Sequence, residues 1–231
     1  FIPDCAGVAQ IMHARVAQVE RDGTLVLRDG RALKLEGLRL ALEGRALSSR
    51  TQAALRSLAL GGPVNFTSVS PERDRYGRMR VQAFGRLWFQ TALLEQGLAR
   101  VQLPPDRDEC APDLYEAEAH ARSHRIGLWA SPDYRVRTAR TLTDTTGTFQ
   151  LVEGMVSHIG RADGRTFVDF GADPKSPFSA VIGPQDRHAF RDYDFDGLSG
   201  RHVRIRGIVQ DYRGRPEIEL SNPAQIELLD N

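Results

Sequence analysis

The chain has 231 residues, of which 41% are hydrophobic and 26% charged, and this composition is typical of a globular protein rather than a disordered one. Its 31 basic side chains are balanced by 30 acidic ones, so the net charge of +1 does not indicate a nucleic-acid-binding protein. No segment approaches the roughly 20 apolar residues of a membrane-spanning helix, and the length fits one large or two small domains.

The first half predicts a small β-barrel with added helices. Five strand candidates are bounded by turn residues, at 14–20, 24–28, 31–40, 63–69 and 78–84. Three helices are predicted at about 48–60, 87–96 and 112–125. Asp22-Gly23 and Asp29-Gly30 are typical of tight hairpin turns, and Ser48 or Ser49 is the expected cap of the first helix.

The second half predicts another barrel. Residues 132–147 are rich in Thr and Arg and poor in large apolar residues, which indicates a linker between domains at 8–131 and 148–231. Strands are predicted at 149–159, 165–170, 178–182, 202–210 and 216–220, with a short helix at 184–190. This order matches a five-stranded Greek-key barrel, so the predicted fold class is mainly β with helices, as two small barrels in tandem.

A local basic cluster in the second domain is hidden by the overall charge. Its members surround one strand candidate and the turn after it: Arg201, Arg204, Arg206, Tyr212, Arg213 and Arg215. Alternation over 202–209 predicts a core face carrying Val203, Ile205 and Val209 and an opposite basic face. Such a face can follow phosphates while Tyr212 stacks a base, or it can be an ordinary solvated strand face balanced by nearby acids.

The chain contains two cysteines, Cys5 and Cys110, which excludes a four-cysteine zinc site. Their placement near the ends of the first domain suits a disulfide in an oxidising compartment, and two free thiols are the alternative. The chain begins at Phe1, as a processed or trimmed protein does. We therefore expect a periplasmic or secreted protein, with a cytoplasmic location as the alternative.

Four stretches in the first half together resemble one known family. They are "VERDGTLVLRDGRALKLEGL", "RDRYGRMRVQAFG", "WFQTALLEQGLARV" and "LYEAEAHARSHRIGLW". In this order and spacing they are similar to the staphylococcal nuclease-like, or thermonuclease, domain. The resemblance implies a five-stranded oligonucleotide-binding (OB) barrel with three helices. Residues 148–231 resemble, more loosely, the OB-type module that follows this domain in some bacterial proteins.

Active members of that family use calcium to cut phosphodiester bonds in DNA and RNA. Two aspartates hold the ion, a glutamate orients the attacking water, and two arginines neutralise the phosphoryl oxygens. The metal strand usually reads D-G-D-T, and the next motif reads R-L-x-G-I-D-A-P-E. One of the two arginines belongs to a Y-G-R step.

This chain departs from those motifs at most catalytic positions. Gly23 stands at the second aspartate of D-G-D-T, Lys34 at the first arginine, and Arg39 at the metal-binding aspartate. Leu42 stands at the glutamate, and Arg78 in "RYGR" keeps the second arginine. A guanidinium about 5 Å from a divalent ion repels it by roughly 6–7 kcal/mol at an effective dielectric near 20. We therefore expect that the calcium ligands are lost.

Displaced carboxylates leave a rebuilt metal site open as an alternative. Asp22 and Glu43 lie one position from the expected acids, and Glu36 is close in sequence, although all three could be ordinary turn residues. The remnant catalytic positions are then Arg78, Lys34 and Glu43. In the same domain, Arg39 could occupy the cation's place, and the resemblance places Arg75 and Tyr76 at the border of the phosphate site.

The sequence thus predicts a thermonuclease-like protein that is not catalytic and that binds single-stranded nucleic acid or a protein partner. No cofactor is expected, and calcium is expected only for the rival hypothesis of an active nuclease that uses the displaced acids. A third hypothesis is a structural subunit of a bacterial envelope complex.

Overall fold

The computed structural model describes Cys5 and residues 10–105, 107–171 and 177–229, excluding the side chains of residues 69–71. The ends of the two predicted domains, residues 8, 9, 230 and 231, lie outside this range. Among the described residues strands predominate and three α-helices accompany them, which confirms the predicted fold class. The chain divides into two compact units, formed by residues 1–102 with 109–132 and by residues 103–108 with 133–231.

The described part of the first unit contains eight strands: β1 (Ile11–Ala14), β2 (Val16–Val19), β3 (Leu25–Leu27), β4 (Ala32–Leu35), β5 (Leu38–Leu40), β6 (Val64–Arg73), β7 (Met79–Phe84) and β8 (Ala99–Val101). Six of them form a sheet in the order β1-β6-β7-β4-β3-β2. Only Arg15 separates β1 from β2, so the pairing of β1 with β6 and of β2 with β3 closes this sheet into a barrel. Strands β4 and β7 run parallel.

The barrel follows from inward-pointing side chains and tight turns. Leu25, Leu33 and Val81 point inward and are completely buried. The β2–β3 and β3–β4 connections turn at Gly23 and Gly30, each with a φ of +87°. Residues with a Cβ rarely adopt this conformation, which explains why both Asp-Gly pairs form the predicted turns.

The strand predicted over 31–40 is instead two strands, β4 and β5. Glu36 lies between them and is buried, and its N–H donates to the carbonyl of Val81 at 2.9 Å. Strand β5 then leaves the barrel sheet and pairs with β8. This break brings Arg39 opposite Arg100 rather than onto the barrel strand that carries Lys34.

The three helices are α1 (Arg45–Leu60), α2 (Phe89–Glu95) and α3 (Ala111–Ser123). Helix α1 begins before the predicted serine caps, because the Ser48 N–H already donates to the Gly44 carbonyl at 3.0 Å. Its buried face repeats every fourth residue, at Thr51, Leu55 and Ala59, and this face packs against β2. None of the helices described is long and apolar enough to cross a lipid bilayer.

Six strands lie in the described part of the second unit: β9 (Phe149–Ala162), β10 (Arg165–Phe170), β11 (Phe178–Ile182), β12 (His202–Tyr212), β13 (Arg215–Glu219) and β14 (Ile226–Leu228). Their order is β13-β11-β10-β9-β12-β14, and the additional pairing of β12 with β13 closes five of them into a barrel. Strands β11 and β13 run parallel. The two barrels therefore share one strand order, and β14 is an addition that the sequence pattern does not predict.

The interior of the second barrel contains aliphatic and phenylalanine side chains from all of its strands. Val152, Val168, Phe178, Ile205 and Ile218 belong to this core. The short helix predicted at 184–190 is a single 3₁₀ turn at Arg187–Phe190.

Residues 133–147, most of the predicted linker, lie along β9 within the second unit. The Arg137 N–H donates to the carbonyl of Leu151, and the Arg137 carbonyl accepts from the N–H of Glu153, both at 2.8 Å. Leu142 and Thr145 are buried. This stretch is therefore a docked edge of the barrel.

A second short segment, residues 103–108, also belongs to the second unit although its neighbours in sequence belong to the first. The side chain of Asn222 is buried, and its Nδ2 donates to the carbonyl of Pro104 at 2.8 Å and to that of Arg107 at 2.9 Å. The second unit therefore recruits a piece of chain from far upstream.

Cys5 and Cys110 form a disulfide, with their Cα atoms 5.0 Å apart. Of the two alternatives for these residues, the disulfide is confirmed. It joins positions 105 residues apart and ties the N-terminal segment to the start of α3, because Cys110 directly precedes Ala111.

Removing this disulfide should destabilise the first unit by about 2–4 kcal/mol, because the unfolded chain gains conformational freedom. Trp88 and Trp129 are the chain's two tryptophans and both lie in the first unit, so their fluorescence during urea unfolding reports on that unit. The variant Cys5→Ser/Cys110→Ser should unfold at lower urea concentration than the oxidised wild type. Reductant should destabilise the wild type but not the variant, and equal midpoints for oxidised and reduced wild type would contradict the pairing.

Candidate functional site

Arg78 lies where the β6–β7 hairpin enters β7, and two carboxylates hold its guanidinium. Nε and Nη2 contact Asp74 Oδ2 at 2.9 and 2.8 Å. Nη1 donates to Asp22 Oδ2 at 3.0 Å and to Thr24 Oγ1 at 3.1 Å. All three nitrogens of the guanidinium are therefore engaged by the protein itself.

Both carboxylates are kept ionised by this arrangement. Burial acts to raise the pKa of Asp22, but hydrogen bonds from the backbone and hydroxyl of Thr24 and the charge of Arg78 lower it below the ordinary value of 3.8. Burial is likewise opposed at Asp74 by hydrogen bonds from Arg78 and from the Tyr76 N–H, and the pKa of Asp74 is also lowered. At neutral pH the guanidinium thus lies between two negative charges.

The tip of the same hairpin brings two predicted phosphate-site residues, Arg75 and Tyr76, next to Arg78. Asp74 Oδ1 accepts the N–H groups of Tyr76 at 2.9 Å and Arg78 at 3.0 Å, which fixes the turn. The Tyr76 ring is exposed, and the guanidinium carbons of Arg75 and Arg78 lie 4.8 and 5.2 Å from its centre. Arg75 also donates from Nη2 to the Tyr76 hydroxyl at 2.7 Å.

Arg39 and Glu43 form a second ion pair. Arg39 lies in β5, and its Nη2 is 3.3 Å from Glu43 Oε1. Arg100 is the register partner of Arg39 in β8, so two arginines face each other across this two-stranded sheet. The carboxylate that could replace a lost metal ligand is thus already bound to a cation of the protein.

Lys34 lies on β4, directly across from Arg80 on β7. Glu36, the third acid near the motif, is buried and pairs with Arg80 Nε at 2.6 Å. A buried carboxylate paired with a buried guanidinium is strongly held, because separating the two would leave either charge without a partner. Glu36 is therefore a structural residue of the barrel.

Gly23, at the position of a metal-binding aspartate in the motif, is closed off by Leu40. Gly23 is buried, and the Cδ1 atom of Leu40 lies where the Cβ of any other residue at position 23 would stand. Leu40 aligns with the small alanine of the R-L-x-G-I-D-A-P-E motif. The missing carboxylate has therefore been replaced by apolar packing.

These residues do not fit a calcium ion. Calcium needs about six to eight oxygen ligands, mostly carboxylate and water. Asp22 and Glu43, the two displaced acids, both contact arginines, and Arg39 brings a positive charge to the position of the second metal-binding aspartate. Nowhere in the described ranges do three or more His, Cys, Asp or Glu side chains form a group that could hold a metal.

The predicted basic face of β12 is largely neutralised by glutamates. Arg204 donates from Nε to Glu153 Oε1 at 2.7 Å and from Nη1 to Glu227 Oε1 at 3.0 Å. Arg206 is only 1% exposed and donates from Nη2 to Glu227 Oε2 at 2.6 Å. The prediction that Arg206 lies on an exposed strand face is wrong, because β14 pairs along β12 and brings Glu227 onto that face.

The other members of the basic cluster lie at the two ends of β12. Arg201 is half-buried just before the strand. Tyr212, Arg213 and Arg215 are exposed at the β12–β13 hairpin. The structure therefore divides the predicted cluster into a neutralised middle and a solvent-exposed hairpin.

Three residues that matter here escape prediction from the sequence. Leu40 and Glu227 act through tertiary contacts, and Arg165 contacts Tyr212 from a distant strand, with its guanidinium carbon 5.2 Å from the ring centre. The signal for Leu40 lies in the motif itself, where a large residue replaces alanine while glycine replaces aspartate. Glu227 and Arg165 have no comparable signal.

Part of the first unit matches a known protein family. Residues 46–131 match the model of the family described as staphylococcal nuclease homologue, which confirms the resemblance over those residues. The matched stretch includes Arg78 and begins after Gly23, Lys34, Arg39 and Glu43, where the chain departs from the motifs. No curated protein matches the chain at a significant level.

Replacing Asp74 by Asn should destabilise the first unit by about 1–2 kcal/mol at neutral pH, because Arg78 loses one of its two charged partners. A carboxylate with a lowered pKa stabilises the fold above its ordinary pKa, and this contribution disappears as the pH falls through the lower folded-state pKa. The difference between wild type and Asp74→Asn should therefore be constant near neutrality and shrink below about pH 3.8. Urea unfolding by tryptophan fluorescence measures it, and a gap that persists at about pH 2 would contradict the assignment.

As a control for this series, Glu95→Gln changes an exposed carboxylate at the end of α2. Its effect should remain below about 0.5 kcal/mol throughout.

Gly23→Asp should destabilise the first unit by about 2–4 kcal/mol, because it combines a strained backbone with a clash against Leu40. Gly30→Asp is the matched control, since Gly30 has the same φ of +87° but no atom within 4 Å of an added Cβ. Adding Leu40→Ala should recover about 0.5–3 kcal/mol in the Gly23→Asp background and nothing in the Gly30→Asp background. Additive effects at Gly23 and Leu40 in a double-mutant cycle would show that Leu40 does not fill that space.

Proposed function

We propose that this chain, whose residues 46–131 match the staphylococcal nuclease homologue family, is a non-catalytic relative that binds its partner without cutting it. The observation that carries this proposal is the contact at Gly23, where the Cδ1 atom of Leu40 occupies the space of the missing side chain. A site that has only lost a ligand can recruit a neighbouring acid, whereas a packed site must first be opened. The contact between Leu40 and Gly23 therefore argues that this site no longer binds a metal ion.

The charges around this pocket support the same proposal. A divalent ion next to Arg39 would meet a repulsion of roughly 6–7 kcal/mol at about 5 Å, and it would have to draw Glu43 away from its arginine. Asp22 would in turn have to leave Arg78. Each displaced acid could therefore bind a metal ion only if its ion pair with an arginine were broken.

The contacts of the retained arginine also argue against cleavage. In a nuclease an arginine stabilises the transition state by donating to phosphoryl oxygens. Arg78 already donates to Asp74, Asp22 and Thr24, so a phosphate would have to compete with two carboxylates. Lys34 lacks the forked geometry of the arginine that the motif places there.

The disulfide is informative about the cellular location of the protein. Disulfides persist in oxidising compartments and are rare in the cytosol. The Cys5–Cys110 bond therefore supports a periplasmic or secreted location, and it is compatible with a role in a complex of the cell envelope.

The rival hypothesis is an active nuclease that uses Asp22 and Glu43. Purified protein is incubated with single-stranded DNA and with RNA, in calcium and in chelator, together with Asp22→Ala and Glu43→Ala. We expect no chelator-sensitive cleavage by the wild type and no heat of calcium binding in calorimetry. Chelator-sensitive cleavage that either substitution abolishes, while the exposed control Asp163→Ala retains it, would establish the rival.

A further inference from the structure

The two barrels carry related hairpins at the same topological position. Residues 74–78 read D-R-Y-G-R and residues 211–215 read D-Y-R-G-R. Each stretch joins the fourth and fifth strands of a barrel with the shared strand order, between β6 and β7 in the first and between β12 and β13 in the second. In each turn an Asp Oδ1 accepts a backbone N–H, from Tyr76 or from Gly214.

Each hairpin also presents a tyrosine ring beside two guanidinium groups. Tyr212 is 46% exposed, and the guanidinium carbons of Arg165 and Arg213 lie 5.2 and 5.3 Å from the centre of its ring. Arg165 is anchored from the other side, since its Nη2 is 3.0 Å from the buried carboxylate of Glu217. The ring of Tyr212 is therefore supported by an arginine that the barrel holds in place.

The arginines of the two hairpins differ in their ion pairs. Arg78 is paired with Asp74 and Asp22, as described above. Arg213 and Arg215 are both exposed, and neither has an ion pair within the described ranges. The second hairpin thus keeps two guanidinium groups available to an external anion next to an exposed aromatic ring.

We infer that the β12–β13 hairpin is a binding site for single-stranded nucleic acid, in which Tyr212 stacks on a base and Arg213 and Arg215 bind flanking phosphates. Aromatic rings bind single strands by stacking, because unpaired bases expose their faces and every base has one. Arginine matches the geometry of a phosphate through paired hydrogen bonds. This inference rests on the proposed function, to which it assigns a partner and a surface.

The charge of the site argues for a single strand over a duplex. Arg204 and Arg206 are neutralised by Glu153 and Glu227, so they do not extend the hairpin into a phosphate-following stripe. Duplex binding relies on many phosphate contacts and falls steeply with salt. A site with about two phosphate contacts and one stacked base should show a shallow salt dependence, with a slope of about −1.4 in log K against log salt.

Fluorescence anisotropy of a labelled oligothymidylate of about 15 nucleotides, titrated with the full chain in chelator, tests the site. Tyr212→Ala should weaken binding by about 10-fold, whereas Tyr212→Phe, which keeps the ring, should bind nearly as the wild type does. An abasic oligonucleotide of the same length should bind more weakly than oligothymidylate. Its affinity should not change with Tyr212→Ala, because it has no base to stack.

The arginines are tested separately. Arg213→Ala/Arg215→Ala should weaken binding to both oligonucleotides and flatten the salt dependence towards zero, because the phosphate contacts are lost. Arg191→Ala, which removes an exposed arginine elsewhere in the second unit, should leave affinity and slope unchanged. Circular dichroism of each variant confirms that the barrel is folded.

The outcomes separate this inference from the proposed function. Failure of the wild type to bind oligothymidylate or the corresponding RNA, or wild-type affinity in folded Tyr212→Ala, would overturn the inference and leave the non-catalytic proposal standing. Calcium-dependent cleavage would overturn the non-catalytic proposal. If Tyr212 still controlled binding in chelator, the hairpin site would survive that result.

Discussion

The guanidinium of Arg78 joins two turns of the first barrel. Asp74 holds it from its own hairpin and Asp22 holds it from the β2–β3 turn. An arginine remains positive at every physiological pH, and this one is only 19% exposed, so it needs anionic oxygens close by. In a nuclease of this family the substrate would supply some of those oxygens, whereas here the chain supplies them itself. The interaction that orders the two turns thus also supplies the guanidinium with its anionic oxygens.

The contact between Leu40 and Gly23 is a second case in which the chain itself fills a place in the site, here with an apolar side chain. Gly23 lacks the carboxylate that the family motif places there, and Leu40 is a large apolar residue where the motif has a small alanine. Leu40 is half-buried, and its side chain would have to move before an ion and its water could take that place. The ion pairs around it involve acids that could otherwise have replaced the missing ligand.

How far the sequence could predict this molecule depends on the range of each interaction. Barrel strands and Asp-Gly turns follow from local alternation and backbone preference, and most were predicted. Arg206 lies on the predicted face but is buried there, because its counter-ion, Glu227, lies in a three-residue strand that is too short for a pattern to reveal. The cap of α1 was missed because a backbone hydrogen bond to Gly44 starts the helix before Ser48. The motif shows that Leu40 and Gly23 both depart from the family pattern, but their contact is visible only in the structure.

The segment at 103–108 makes the second barrel a discontinuous domain. Asn222 is 2% exposed, and its amide is satisfied by carbonyls of Pro104 and Arg107. An excised fragment that began at the first strand of this barrel would lose those two hydrogen bonds, each worth about 0.5–1.5 kcal/mol. The second barrel is therefore not fully independent of the upstream chain. A version of it transplanted into another protein would need residues that replace 103–108.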